Sequence, residues 1–241
     1  CQRLADAGRF VIRYDNRDTG RTTSLPPGEC SYSFADMAAD AVAVLDHYGA
    51  DKSHILGQSM GGIIAQLVVL NYPERVLTLM PIMTTANPPG LFAAVDATQD
   101  ANDGVLQPQQ GSEPAVPDLE TVLASVPAML ESAVGSAHPP EIERMCDVIS
   151  RDFDRSISYA SSANHGLVFA KSQSLQERLG SINVPTLVIH GTEDPIVPFA
   201  HGEEIAANIP GAQLLTMKGV GHFLPRPEYD RLVSAILEHT I

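Results

Sequence analysis

Residues 57–61, with the sequence Gly-Gln-Ser-Met-Gly, place a serine between two glycines, and a serine hydroxyl in that setting can act as a nucleophile. A short apolar run precedes them, and a longer apolar run of helical character follows. A serine at such a strand-to-helix turn adopts a strained backbone, so small residues are expected two positions before and two positions after it. We therefore predict that Gly57 and Gly61 close a nucleophile elbow around Ser59. The alternative is a chance match in an ordinary turn.

The helix predicted after Ser59 would point its N-terminus at any negative charge that develops beside the serine. Backbone N–H groups at a helix N-terminus carry partial positive charge and stabilise an oxyanion well. We therefore expect the Met60 amide to be one donor of an oxyanion hole.

A serine hydroxyl is a poor nucleophile near neutral pH, so it needs an imidazole to take its proton and a carboxylate to orient that imidazole. Asp194 and His222 follow later predicted strands and are placed for these roles, because loops at the carboxyl ends of parallel strands meet in one crevice. Each residue also has a non-catalytic alternative, because Asp-Pro commonly opens a turn and a histidine can pack under a loop without reacting. Glu193 is the rival acid and His190 the rival base. The chain order Ser59, Asp194, His222 favours the triad.

Other groups that could bind metals or form disulfides are scattered. The remaining histidines are His47, His54, His138, His165, His201 and His239, and the cysteines are Cys1, Cys30 and Cys146. None has the spacing of a metal site or of a disulfide framework. We expect reduced thiols, no metal and no cofactor.

Charge and hydropathy limit the partners that we expect. The chain of 241 residues has 15 Lys and Arg against 29 Asp and Glu, a net charge of −14 that repels phosphate backbones and anionic membranes. No apolar run reaches the ~20 residues that span a bilayer, and the start of the chain does not resemble a signal peptide. We predict a cytoplasmic enzyme of small molecules that binds neither nucleic acid nor membranes.

Apolar runs of strand length alternate with helical periodicity, which predicts an α/β fold with a mainly parallel sheet flanked by helices. Strands are predicted at 10–14, 54–56, 76–83, 184–190 and 213–217. Helices are predicted from the capping signal at 33–36 to about 48, and at 63–70, 203–208 and 228–239. Between 87 and 171 the pattern loosens into short amphipathic segments such as 119–130 and 142–149. We predict a helical cap at 87–171 and a core domain formed by 1–86 and 172–241.

Three runs of the sequence resemble a known family. With the elbow and the later acid and base loops, nearly the whole chain outside 87–171 resembles the α/β-hydrolase family. More narrowly, residues 3–8, 11–22 and 184–198 are similar to the aclacinomycin methylesterase group. Most hydrolases of this fold have glycine where this chain has Asp18, so the run Arg-Asp-Thr-Gly-Arg at 17–21 is the more specific likeness.

The resemblance implies an eight-stranded sheet with a helical cap, the triad Ser59, Asp194 and His222, and hydrolysis of carboxylic esters through an acyl-enzyme. In that group the known substrates include a methyl ester on an anthracycline. The alternatives are lactone, carbon–carbon bond or perhydrolase chemistry on the same triad, or a catalytically impaired binding protein.

One departure from the family concerns its first strands and the loop that gives the second oxyanion donor. Both lie upstream of Cys1 in the family pattern, and one such donor is worth about 10²–10³ in turnover. We therefore expect fewer than eight strands, a sheet edge that is exposed or covered by a second copy of the chain, and Met60 as the only backbone donor.

Overall fold

The computed structural model describes residues 1–91 and 118–241. These residues contain a four-stranded sheet in the order β1-β2-β3-β4, and every neighbouring pair of strands runs parallel. The strands are β1 (Ser53–Gln58), β2 (Val76–Ile82), β3 (Leu187–Gly191) and β4 (Gln213–Met217). Because parallel neighbours need crossover connections, helices separate the strands along the chain. The predicted α/β class with a mainly parallel sheet is confirmed.

The helices of the described residues are α1 (Gln2–Asp6), α2 (Phe34–His47), α3 (Met60–Asn71), α4 (Leu119–Ala133), α5 (Ile142–Arg155), α6 (Asn164–Ala170), α7 (Phe199–Asn208) and α8 (Tyr229–His239). The predicted start of α2 is confirmed by a capping box. The Ser33 hydroxyl accepts a hydrogen bond from the Asp36 amide, and the Asp36 carboxylate accepts one from the Ser33 amide at 2.8 Å. Such a cap stabilises a helix by about 1 kcal/mol.

Two apolar clusters lie on opposite faces of the sheet. Consecutive residues of a strand point to opposite faces, so Leu79 packs in the larger cluster with α2, α3 and α7, while Met80 packs in the smaller cluster with α8. Both side chains are almost fully buried, and each contributes about 1.5–3 kcal/mol to folding. This burial on both faces explains why β2 and β3 read as continuous apolar runs.

The strand predicted at 10–14 is wrong. These residues have no regular secondary structure and pair with no strand among the described residues, and Phe10 is 77% exposed. A segment of strand-like composition becomes a strand only when a neighbour pairs with its backbone, and here residues 10–14 and β1 line a common groove instead of pairing. For the same reason β1 is the edge of the sheet, and Leu56 on that edge is 43% exposed. The expected exposed edge and strand number below eight hold for the described residues.

The predicted cap contains α4, α5 and α6, while residues 92–117 lie outside the described part. Helices α4 and α5 match the amphipathic segments predicted at 119–130 and 142–149, although both extend further. Helix α6 packs into the larger core cluster through Val168, and the Phe169 ring meets the Phe34 ring of α2 edge-on at 5.0 Å. The division into a cap and a two-part core remains a prediction.

Asp18 joins the loop after residues 10–14 to α6. It is fully buried and has a positive φ of 63°, a conformation that favours glycine but that aspartate tolerates. Its carboxylate accepts hydrogen bonds from the Leu25 amide at 2.6 Å, the Tyr32 hydroxyl at 2.7 Å and the Asn164 side-chain amide at 3.1 Å. The residue that marks the resemblance therefore fastens part of the predicted cap to the core.

Across 1–91 and 118–241, no helix is both long enough and apolar enough to cross a membrane.

Candidate active site

Ser59 lies on a sharp turn between β1 and α3. Its φ is 53° and its ψ is −122°, which is outside the ordinary helical and extended regions and costs of the order of 1–3 kcal/mol. Two hydrogen bonds hold it there: the Ser59 amide donates to the Ile82 carbonyl at 2.9 Å, and the Thr84 hydroxyl donates to the Ser59 carbonyl at 2.7 Å. The predicted positive φ of a nucleophile elbow is confirmed.

The residues that must be small are not the expected pair. A Cβ atom on Gly57 would lie 2.0 Å from the Gly61 carbonyl oxygen, so Gly57 is required as predicted. A Cβ atom on Gly61 would meet nothing within 4 Å, so the prediction that Gly61 is sterically required is wrong. The turn brings the carbonyl of Gly61, rather than its α-carbon, against the strand. Gly62 is the second constrained position, because its Cβ would lie 2.5 Å from Thr84 Cγ2.

Asp194 lies in the loop after β3, and its side chain is fully buried. Its Oδ1 atom accepts the Ile196 amide at 2.9 Å and the Val197 amide at 2.8 Å, an Asx-type turn that fixes the carboxylate. Its Oδ2 atom lies 2.8 Å from Nδ1 of His222. A carboxylate in this position makes Nδ1 the protonated nitrogen of the neutral ring and leaves Nε2 free to accept a proton.

His222 lies in the loop after β4 and is 6% exposed. Its backbone is held on two sides: its amide donates to the Ala133 carbonyl at the end of α4 at 2.7 Å, and its carbonyl accepts the Gln58 side-chain amide at 2.8 Å. Because Gln58 precedes Ser59, the second contact ties the base to the strand that carries the serine. Within the described residues the Ser59 hydroxyl makes no hydrogen bond, and its bond to His222 Nε2 remains a prediction.

The rival acid and base have other partners. Both carboxylate oxygens of Glu193 accept hydrogen bonds from Ser136, one from its amide at 2.7 Å and one from its hydroxyl at 2.8 Å. His190 is fully buried on β3, and its Nε2 atom lies 2.8 Å from the Val197 carbonyl but 3.7 Å from the Asp194 carboxylate. Burial lowers the pKa of His190, so the ring is neutral near pH 7 and donates from Nε2. It shapes the acid loop, as the sequence suggests.

Met60 is the first residue of α3, and Ser59 is its N-cap. The Gly62 and Ile63 amides of the first helical turn donate to the Ser59 carbonyl at 2.8 and 3.3 Å. The Met60 amide has no acceptor among the described residues, so it is free to bind an anion near the serine. This position is the one that the oxyanion prediction requires of Met60.

Three contacts were not foreseen from the sequence: the bonds of Gln58 and Ala133 to His222, and the anchoring of the predicted cap by Asp18. Gln58 lies inside the motif, and its long amide side chain next to Ser59 is the sequence feature that could have indicated a contact with the loop of His222. Asp18 stands where most hydrolases of this fold have glycine, but its partner Asn164 is distant in the chain, so the sequence does not show the contact. In the described part of the chain, no group of three or more His, Cys, Asp or Glu side chains lies close enough to hold a metal ion.

Comparison with known proteins matches nearly the whole chain. A family model described as alpha/beta hydrolase fold matches residues 2–225. The rhodomycin D methylesterase DnrP of Streptomyces peucetius is 31% identical over 255 residues, covering 99% of this chain and 84% of the relative. A 2-hydroxy-6-oxononadienedioate/2-hydroxy-6-oxononatrienedioate hydrolase of Burkholderia vietnamiensis is 28% identical, covering 98% of this chain and 77% of the relative.

A solved structure extends the similarity to three dimensions. Est816, described as an N-acyl homoserine lactone degrading enzyme, superposes with a TM-score of 0.64 at 28% sequence identity, covering 92% of this chain and 80% of Est816.

Proposed function

Since the chain belongs to the α/β-hydrolase family, we propose that it is a serine hydrolase that cleaves carboxylic esters through an acyl-enzyme. The observation that carries the proposal is the buried pair of Asp194 and His222, joined at 2.8 Å, beside a serine whose φ of 53° is that of a nucleophile elbow. The similarity to a methylesterase directs the proposal to methyl esters of bulky, apolar acids.

In the first half of the reaction, the Ser59 hydroxyl attacks the ester carbonyl carbon while its proton passes to Nε2 of His222. Asp194 keeps the proton on Nδ1 and stabilises the imidazolium. The carbonyl oxygen becomes an oxyanion that faces the Met60 amide. The bond to the alkoxy group then breaks, His222 returns the proton to it, and an alcohol leaves, which is methanol for a methyl ester.

In the second half, a water molecule takes the place of the alcohol. His222 accepts one proton from the water, and the oxygen attacks the acyl carbon. When the second tetrahedral intermediate collapses, the bond to Ser59 breaks and His222 protonates the serine oxygen. The products are the carboxylic acid and the free enzyme, so no external oxidant or cofactor enters the balance.

The cap, residues 87–171, is proposed to select the substrate. Lactone opening and carbon–carbon bond hydrolysis on the same triad are the second candidate, because the similar proteins include a lactone-degrading enzyme and a hydrolase of an oxononadienedioate. A serine that cannot be acylated would instead favour a hydrolase-like binding protein.

A fluorophosphonate probe tests the nucleophile directly on the full chain. We expect covalent labelling of Ser59, found by peptide mass spectrometry. The label should be absent from Ser59→Ala and unchanged in the matched control Ser132→Ala, which alters an exposed serine. Absence of labelling in the wild-type chain would contradict the proposal. A substrate panel of bulky methyl esters, aryl esters of increasing chain length and acyl lactones then ranks the ester and lactone candidates by kcat/KM.

We also propose that a second copy of the chain covers the β1 edge. A groove of about 590 Å³ lines this edge, and Leu56 and Leu77 beside it are 43% and 42% exposed. An unpaired strand edge with apolar neighbours favours pairing with another edge, and two identical copies do this symmetrically. Light scattering should detect a dimer that Leu56→Lys shifts to monomer. A wild-type chain that stays monomeric at high concentration would contradict this proposal.

A further inference from the structure

The turn that ends α4, residues 133–137, lies directly against the loop that carries His222. The Ala133 carbonyl accepts the His222 amide at 2.7 Å, and the Val134 carbonyl accepts the Gly221 amide at 2.8 Å. In the opposite direction, the Ala137 amide donates to the Gly219 carbonyl at 2.8 Å. A fourth, longer bond runs from the Phe223 amide to the Ala133 carbonyl at 3.4 Å. Four backbone hydrogen bonds therefore fix the loop of the base to a turn that is more than 80 residues away in the chain.

The two backbones approach as closely as residues without side chains permit. Gly135 has a positive φ of 81°, and a Cβ atom there would lie 2.4 Å from the Gly219 oxygen and 2.6 Å from the Gly221 nitrogen. On the other side, a Cβ atom on Gly221 would lie 2.2 Å from the Ala133 oxygen. The close contact prevents the two backbones from moving nearer, and the hydrogen bonds between them resist separation. A displacement of the turn therefore carries the loop of His222 with it.

Glu193 connects the same turn to the loop of the acid. Its two carboxylate oxygens bind the Ser136 amide at 2.7 Å and the Ser136 hydroxyl at 2.8 Å. Its own amide donates to the Val220 carbonyl at 3.0 Å, in the loop of the base. Since Asp194 is the next residue, one glutamate links the α4 turn, the acid loop and the base loop.

We infer that Glu193 is a positioning residue of the proposed hydrolysis, which holds the α4 turn through Ser136 and thereby fixes His222 against Asp194. Glu193 and Ser136 are exposed, so the hydrogen bonds between them contribute little to stability. The geometry of a base is far more demanding, because a displacement of about 1 Å can cost about 10²-fold in rate. Losing the link should therefore affect kcat more than folding.

The inference rests on the proposed function, and two variants separate it from an acid role for Glu193. Glutamine can still accept the Ser136 amide and donate to its hydroxyl, so Glu193→Gln should keep most of the activity. Glu193→Ala should lower kcat about tenfold with little change in KM. If the negative charge itself acted on His222, glutamine would be as damaging as alanine, and that result would overturn the inference.

Two further variants complete the design. Ser136→Ala should reproduce most of the Glu193→Ala loss, and the double variant should be little worse than either single one, because both changes remove the same contact. Glu203→Ala, which removes an exposed glutamate of α7, is the matched control and should leave kcat unchanged. Full additivity of the first two changes would contradict a shared role.

A readout that does not need turnover keeps the inference testable if no ester is hydrolysed. Amide hydrogen exchange at His222 reports its bond to the Ala133 carbonyl, and the Nδ1 proton resonance reports its bond to Asp194. Both should change in Glu193→Ala and stay near wild type in Glu193→Gln. Unchanged exchange and an unchanged resonance in the alanine variant would overturn the inference, whereas an inactive wild type with these changes would overturn only the proposed function.

Discussion

The side-chain amide of Gln58 donates a hydrogen bond of 2.8 Å to the backbone carbonyl of His222. The residue before the candidate nucleophile thus holds the main chain of the candidate base, and this contact links the end of β1 to the loop of His222. In the proposed mechanism, this contact would help to fix the loop of His222 relative to the turn that carries Ser59.

Removing this amide should slow catalysis without unfolding the protein. Methionine is similar in length but cannot donate, so Gln58→Met should lower kcat about tenfold, or ~1.4 kcal/mol of activation free energy. Steady-state kinetics on an aryl ester measures this, and Gln213→Met, at an exposed glutamine of β4, is the matched control. Equal kcat in wild type and Gln58→Met would show that the contact has no role in positioning.

Ser59, His222 and Asp194 should act as one unit. Ser59→Ala and His222→Ala should each lower kcat by about 10³-fold or more, and the double variant should lose little further activity, because groups of one triad are not additive. Circular dichroism should show that both variants stay folded. Multiplicative losses in the double variant would argue against the triad.

The elbow should respond differently to a methyl group at its two glycines. Gly57→Ala places a Cβ atom 2.0 Å from a carbonyl oxygen, so its free energy of unfolding should fall by about 3 kcal/mol or more. Gly61→Ala has open space and replaces a glycine in a helix, so its stability should stay equal or rise by up to about 1 kcal/mol. Urea unfolding of both variants measures the contrast, which comparable destabilisation would refute.

Asp18 should stabilise the fold through its buried carboxylate. Glycine adopts the same positive φ without strain but leaves three donors unpaired, so Asp18→Gly should lower the free energy of unfolding by about 2–4 kcal/mol. Asp18→Asn also tolerates this backbone and keeps an acceptor, so it should lose clearly less. Chemical denaturation gives both values. A glycine variant as stable as wild type would mean that relief of strain outweighs the lost hydrogen bonds.

The buried His190 should make the fold less stable in mild acid. Its folded-state pKa lies below the unfolded value of about 6.5, so the unfolded chain takes up the proton first. Its contribution is complete above that unfolded pKa and is lost as the pH falls below it towards the folded pKa. His190→Gln can still donate to the Val197 carbonyl but does not titrate, so its stability should vary less across this interval. Urea titrations at several pH values measure the free energy of unfolding of both proteins. An equal loss of stability in wild type and His190→Gln across this interval would contradict the prediction.

Local patterns and motif order were enough to predict much of the fold. Local sequence alone predicts the start of α2 at Ser33, the buried strand β2 and the helix α8. The strand predicted at 213–217 is found with the same ends. Asp194 and His222 were identified because parallel strands deliver their loops to one edge. Their 2.8 Å contact shows that the two loops meet, whereas their catalytic roles remain a prediction.

Features that depend on distant neighbours could not be predicted in the same way. Residues 10–14 have the composition of a strand, but pairing is decided by what lies beside them. Gly57 and Gly61 look equivalent in the motif, and only the path of the turn shows which α-carbon faces an obstacle. The contact of Ala133 with His222 joins backbone atoms, so neither residue's identity in the sequence predicts it.

The contact between the α4 turn and the loop of His222 has a consequence for how such an enzyme can diversify. Hydrogen bonds between main-chain atoms join the two segments, and Gly135, Gly219 and Gly221 are constrained by the closeness of the two backbones. The exposed side chains along α4, unlike the buried Val126, Leu130 and Ala133, can therefore be exchanged during evolution without disturbing the contact with the loop of His222. Under the proposed role of residues 87–171 in substrate selection, a new substrate preference can arise by single substitutions at these exposed positions, each of which leaves the loop of His222 in place.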